Sequence, residues 1–385
     1  MPEREWVSFR VVHPDPFDFF QKLELPLELH CAADLSSKFQ AVRLHQILSS
    51  LSYVHHLQIN SSRPFQVAWA LAWPQAALLL GPLKAFPLLF PQVEEGLKGY
   101  SRDHFWKLKG GGGRTYPWHR QTQVMGILNA TPDSFSDGGR YLDPSMAADR
   151  ALRMQEEGAN WIDVGGESTR PGAKPVPVSE EKKRILPVIR ACAKVLRVPI
   201  SVDTYKAEVA RAAVGEGAQM INDISALRFD RHMGPTAAKL KVPVLLMHMR
   251  GNPRTMQRKP LYRDVVGDIL HFLRGRLQYA QDCGITKDRL LIDPGFGFGK
   301  TDEHNLELLR RLWEFKVLDC PIVSGPSRKG TLGRLLGGLP PRERVEATAA
   351  AVTVSVLKGA DFVRVHDVKS MARVVKIADA IRYRG

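Results

Sequence analysis

A chain of 385 residues has room for two domains or for one large barrel with an addition, and 44% hydrophobic with 25% charged residues is ordinary for a globular protein with a full core. The net charge of +15 is uneven: residues 1–109 carry 11 basic and 10 acidic side chains, so nearly all of the excess lies beyond them. It is scattered through helical stretches rather than gathered in runs, which argues against a nucleic-acid partner and suits small anionic ligands.

The start, Met1-Pro2-Glu3-Arg4-Glu5-Trp6, is charged and lacks the apolar core of a signal peptide. Over the first 100 residues, strands are expected at 6–12, 27–31, 53–59 and 65–71. Helices are expected to start at Asp15-Pro16, at Ser36 and around Pro91, the first two behind good N-cap residues. The pattern predicts a small α/β or α+β domain over residues 1–100. Its most apolar stretch, 67–90, is interrupted by Pro74, Pro82, Lys84 and Pro87, and reads as a buried strand and helix rather than a membrane span. Cys31, Cys192, Cys283 and Cys320 lie far apart with no C-x-x-C pair, which fits neither a disulfide framework nor a metal site and suits the cytoplasm. The glycine run 110–113 admits a linker, but the flanking residues 104–109 and 114–119 favour a hairpin closing the N-terminal end of the larger, second domain.

From residue 124 a rhythm sets in. Short apolar runs at 124–128, 161–164, 199–202, 220–221, 243–247, 290–292, 321–323 and 362–365 alternate with amphipathic stretches such as 179–196, 264–283 and 302–317. Runs apolar throughout fit parallel strands covered on both faces. Eight strand–helix units over residues 101–385 predict a (β/α)8 TIM barrel, against the rival of an open doubly wound sheet. The runs end in polar residues: Asn129, Asp163, Asp203, Asn222, His248, Asp293, Ser324, Arg364 and His366. Any one could cap the next helix, but together they converge on the mouth of a barrel, where such folds do chemistry.

Two loops at that mouth are long, polar and glycine-bearing: Asn129-Ala-Thr131-Pro-Asp133-Ser-Phe135-Ser-Asp137-Gly138-Gly139, and Glu167-Ser-Thr169-Arg170-Pro171-Gly172. With Ser201-Val-Asp203, Ile221-Asn222-Asp223, Met247-His248, Asp293-Pro-Gly-Phe-Gly-Phe298-Gly-Lys300, Ser327-Arg328-Lys329 and Arg364-Val-His366-Asp367, they resemble the dihydropteroate synthase family in type and order. The resemblance covers about residues 120–385 and leaves the first 100 without a role.

The resemblance implies a sulfonamide-target enzyme of folate biosynthesis that joins a pterin-methyl diphosphate to 4-aminobenzoate by a dissociative route. It implies that Asp203, Asn222, Asp293 and Lys329 bind the pterin edge, with Met247 and Phe298 on its faces. Diphosphate falls to Asn129, Thr169, Arg364 and His366, with Mg²⁺ held by Asn129. Phe135 and Pro171 are implied for the aminobenzoate pocket, and Asp137, Arg170 and Lys329 as catalytic groups. Homodimers are usual in the family.

Two rivals remain. A methyltetrahydrofolate:corrinoid methyltransferase would share the pterin edge but needs no diphosphate site, and a catalytically dead barrel could bind pterin alone. A nucleotide-binding reading of Gly295–Thr301 fails, because the G-x-x-x-x-G-K-[ST] template requires glycine where Pro294 stands.

Overall fold

The computed structural model describes residues 7–11, 28–35, 38–51, 54–60, 65–72, 80–84, 86, 89–101, 105–110, 113–130, 143–169 and 172–383. They fall into two compact units, Met1–Asp103 with Trp313–Asp319, and His104–Leu312 with Cys320–Arg384.

The first unit runs β1 (Val7–Val11), β2 (Glu28–Leu35), α1 (Lys38–Ser49), β3 (Val54–Asn60), β4 (Phe65–Ala72), α2 (Leu80–Leu83) and α3 (Phe90–Ser101). Its strands form an antiparallel sheet in the order β1-β2-β4-β3, with a register irregularity between His55 and Gln58. Cys31, Ala33 and Leu35 alternate along one face of β2 and are buried, as are Ala41, Leu44 and Leu48, one stripe of α1. The helix expected from Asp15-Pro16 lies outside the described residues.

The second unit opens with β5 (Phe105–Lys109) and β6 (Thr115–His119), paired antiparallel from Phe105↔His119 to Lys109↔Thr115, with the amide of Gly110 donating to the Arg114 carbonyl at 2.9 Å. The hairpin expectation holds. Eight parallel strands come next: β7 (Gln123–Asn129), β8 (Trp161–Gly165), β9 (Ile200–Asp203), β10 (Met220–Asp223), β11 (Val244–Met247), β12 (Leu290–Asp293), β13 (Val323–Ser324) and β14 (Phe362–Val365). They are ordered β12-β11-β10-β9-β8-β7-β14-β13, and a single bridge, Ile292 to Ile322, links the two ends. The sheet is a nearly closed, TIM-like barrel.

Helices α4 (Pro144–Glu156), α5 (Val178–Val195), α6 (Ala207–Gly215), α7 (Met233–Leu240), α8 (Val265–Asp282), α9 (Asp302–Arg310), α10 (Gly330–Leu335) and α11 (Val345–Leu357) connect the strands, and α12 (Val368–Tyr383) follows the last of them. Local chemistry sets several starts: the Asp143 carboxylate accepts from the Ser145 amide with Pro144 in the first turn, and Thr301 and His304 form a reciprocal capping box on α9. The expected amphipathic stretch 302–317 is corrected: α9 ends at Arg310 and Leu312–Leu318 winds as 3₁₀ turns. Leu312, Phe315 and Leu318 are buried at a spacing of three, which a threefold helix puts on one side. Among the described residues no helix is long and apolar enough to cross a membrane.

The hairpin plugs the barrel's N-terminal end. Leu108 and Trp118 pack with Met125, Trp161, Met220, Leu245, Leu291, Val323 and Phe362, residues near the start of seven of the barrel strands. Trp118 meets Phe362 edge-on at 5.1 Å, and Tyr116 lies 5.0 Å from Trp161.

Candidate active site

Side chains along a strand alternate between the barrel interior and the helix layer. Two residues beyond the apolar floor, the same inward positions carry Ile127, Asp163, Asn222, Met247, Asp293 and Arg364, while β9 supplies Asp203. A second layer of mostly polar groups therefore lies directly on the plugged core. Arg364 bridges it, donating from Nε to Asp163 Oδ2 at 2.7 Å and from Nη2 to Asp203 Oδ2 at 2.9 Å. Asn222 Nδ2 donates to the same Asp163 oxygen at 3.1 Å. Asp163 Oδ1 is buried with no hydrogen-bond partner. Burial pushes Asp203 up to about 7; Arg364 opposes this, and the nearby Asp163, Glu181 and Asp223 reinforce it. Burial likewise raises Asp293, against the Gly295 amide and the cations Lys329, Lys300 and Arg364.

Period two also corrects the expectation that all the strand-end polar residues face the mouth. Ser324 Oγ meets Ser355 Oγ of α11 at 2.9 Å, in the helix layer. His248 is buried edge-on against Phe272 at 4.8 Å. Asp223, which is not among those residues, accepts from the amides of Ser225 and Leu227 and serves its own loop.

One wall is apolar: Met247, Phe298, Met249, Met256 and Ile224 cluster, with Tyr205 packed on them. The loop after β12 delivers Phe298. Asp293 Oδ1 accepts from the Gly295 amide at 2.6 Å and turns the chain sharply. Glycine is needed there, since φ is +73° and a Cβ would stand 1.9 Å from the His248 carbonyl oxygen. Lys329 Nζ sits 3.8 Å from the Phe298 ring centroid, so the wall carries a cation on its aromatic face.

The opposite side suits an anion. Asn129, Thr169, Arg364 and His366 line a cavity of about 1080 Å³ that Asp203, Phe298 and Lys329 also line. Ser327 Oγ lies 3.0 Å from His366 Nδ1 and accepts from the His366 amide at 3.2 Å, fixing the ring. Arg328 lines the same cavity, takes a left-handed φ of +58° and donates from Nε to Asp367 at 2.9 Å. Glu167 steadies the approach to Thr169. It accepts from the Tyr205 hydroxyl at 2.8 Å and the Val176 amide at 3.0 Å, and pairs with Lys206, which also pairs with Glu181.

Seven predicted residues thus share one cavity, and Asn222, Met247 and Asp293 are buried among the groups beneath and beside it. Phe135, Asp137, Arg170 and Pro171 lie outside the described residues. Sequence reasoning placed Asp163 among the polar residues at the mouth without a specific role, and gave none to Glu167 or Lys300. For Asp163 a signal existed: it stands two residues after Trp161 on the inward face.

The description of the Pterin binding enzyme family matches residues 125–366. The dihydropteroate synthase of Synechocystis sp. is 47% identical over 266 residues, covering 69% of this chain and 92% of the relative. The chain belongs to the dihydropteroate synthase family. The Bacillus subtilis synthase is 46% identical over 268 residues, 70% of this chain and 91% of its own. Among solved members, the Yersinia pestis synthase with a sulfonamide drug complex superposes with a TM-score of 0.68 at 43% identity, over 72% of this chain and all of that one. The Xanthomonas albilineans synthase in complex with 7,8-dihydropteroate does so with a TM-score of 0.61 at 40% identity, over 69% of this chain and 96% of that one.

Proposed function

We propose that this synthase-family chain condenses (7,8-dihydropterin-6-yl)methyl diphosphate with 4-aminobenzoate, giving 7,8-dihydropteroate and diphosphate. The observation that carries this reading is the meeting, in one cavity, of a buried carboxylate–amide layer and a cationic rim, with Arg364 belonging to both. The methyltransferase alternative has no use for that rim.

Asp203, Asn222 and Asp293 match the donors and acceptors of a pterin's amino-pyrimidine edge, Lys329 donates to the ring's oxygen and nitrogen side, and Met247 and Phe298 pack its faces. Asn129, Thr169, Arg364 and His366 hold the diphosphate. The C–O bond then breaks with both electrons leaving on the diphosphate oxygen, and Arg364 and His366 stabilise the charge that builds there. The pterin-methyl cation spreads into the ring above Asp203 and Asp293. The neutral arylamine supplies the lone pair for the new C–N bond and afterwards loses a proton.

Among the described residues no cluster of three metal-ligating side chains occurs, but Asn129 offers a hard amide oxygen on the anion rim. That donor fits Mg²⁺, which keeps waters and borrows phosphate oxygens; when bound, it would neutralise charge on the leaving group.

Detection of dihydropteroate from the two substrates tests the reading, with methyl transfer from methyltetrahydrofolate as the counter-assay. Residues 1–100 form an additional domain in this proposal, and a chain of residues 101–385 should retain turnover. Asp137 and Arg170 carry opposite charges on the two mouth loops, and the family resemblance gives both a catalytic role. Asp137→Ala should therefore lower kcat by about tenfold or more while pterin diphosphate binding changes little. Unchanged turnover would leave these loops a passive rim.

The chain also self-associates in this reading. Val354 on α11 and Ile377 and Ile381 on the adjoining α12 are exposed apolar residues that a second copy would cover. Sedimentation should show a dimer that Val354→Lys shifts to monomer; a monomeric wild type contradicts it.

A further inference from the structure

We propose that Lys300 is a positioning residue for the pterin wall: it pins the glycine loop after β12 so that Phe298 and Lys329 meet. The inference rests on the synthase reading and adds a residue that the chemistry does not touch.

Lys300 is only 1% exposed, among the largest fully buried side chains of the protein. An ammonium so placed is costly unless every proton is bonded. Its Nζ has three partners: the carbonyls of Gly295 at 2.9 Å and Phe298 at 3.0 Å, and His248 Nδ1 at 3.0 Å. All three donors are spent on structure, which leaves no proton for exchange with substrate. The two carbonyls bracket the turn that carries Phe298.

Within itself the turn is closed by the Phe298 amide donating to the Gly295 carbonyl at 3.1 Å, a thin hold for so many glycines. Gly295, Gly297 and Gly299 all have positive φ, at +73°, +83° and +67°, and glycine spends the most chain entropy to keep one conformation. Gly297 is anchored from outside, its amide on Asn305 Oδ1 at 2.7 Å and its carbonyl on Gln257 Nε2 at 3.1 Å. Lys300 supplies the matching anchor for residues 295 and 298. The far side of the turn faces the site: a Cβ on Gly297 would lie 3.1 Å from Lys329 Cδ, so displacing the loop displaces Lys329 as well as Phe298.

His248 makes the anchor rigid. Its ring is wedged against Phe272 and Tyr262, and burial, then the cations Lys300, Arg228 and Arg250, hold it well below the usual histidine range. The neutral ring accepts at Nδ1. Burial brings Lys300 down to about 7, with Asp293 pulling up and Lys329 pushing down. Loss of a proton does not break the pin: two N–H groups remain for the carbonyls, and the amine lone pair accepts from the other His248 tautomer.

Removing the donors while keeping the length, Lys300→Met should raise the KM for pterin diphosphate about tenfold or more, the worth of a charged hydrogen bond, and leave kcat and the KM for 4-aminobenzoate within about threefold. His248→Asn, whose amide oxygen can take the Nδ1 position, should stay close to wild type. His248→Leu should reproduce the pterin defect. A wild-type pterin KM in Lys300→Met overturns the proposal, including the case in which only the apparent kcat falls with both KM values unchanged, which would report lost folded enzyme. Should Lys300→Met not fold, equal pterin KM values in the two His248 variants overturn it. A wild type that makes no dihydropteroate overturns the synthase reading, and this inference falls with it.

Discussion

Asp203→Asn should act in opposite directions on the empty and the loaded enzyme. Pterin binding should fall by about 2–5 kcal/mol, the penalty for losing a buried charged hydrogen-bond partner, and become undetectable in ordinary titrations. Asp293→Asn should do the same. The empty protein, however, should gain stability, because Asp203 is held up to about 7 from an ordinary 3.8, so ionising it within the fold is unfavourable. Linkage sets the sign. A carboxyl whose folded pKa is raised favours the native state below its unfolded pKa, and that contribution is lost as pH climbs through the folded value. The stabilisation by Asp203→Asn should therefore be small near about pH 4 and level off above about pH 7, where it reaches on the order of 1 kcal/mol or more. Thermal unfolding at the two extremes, with pterin titration on the same samples, reads both effects. Normal pterin affinity in both variants would remove these residues from the edge.

Arg364→Ala should be the most damaging single change to the fold. The guanidinium joins Asp163 and Asp203 at 2.7 and 2.9 Å, with Asp293 nearby in the same layer. Removing it leaves buried carboxylates uncompensated, at a cost of about 3–5 kcal/mol. Adding Asp163→Asn should restore part of that loss, since the pair is coupled; strictly additive losses in the double variant would show that the ion pair carries no energy. Diphosphate affinity should fall further than affinity for a pterin without phosphates. Equal losses of both ligands would take Arg364 off the anion side.

The barrel was legible because its signal is repeated: eight apolar runs, each closed by polar residues, leave few other architectures. The inward layer was less so. Reading the runs as apolar throughout hides the period of two that places Asp163 beside Arg364 and turns Ser324 and His248 away into the helix layer. Lys300 could not have been assigned from the chain alone. Its role depends on carbonyls at 295 and 298 and on a ring 52 residues away, and backbone acceptors leave no trace in side-chain identity. In the sequence it stood out only as the end of a resemblance motif and as the lysine of a failed nucleotide-loop template.

The Leu108–Trp118 plug settles the traffic of ligands. A barrel corked at its base has one doorway, so whatever goes deepest enters first and leaves last. In the proposed reaction the bicyclic ring would therefore have to reach the carboxylate layer before the arylamine settles above it.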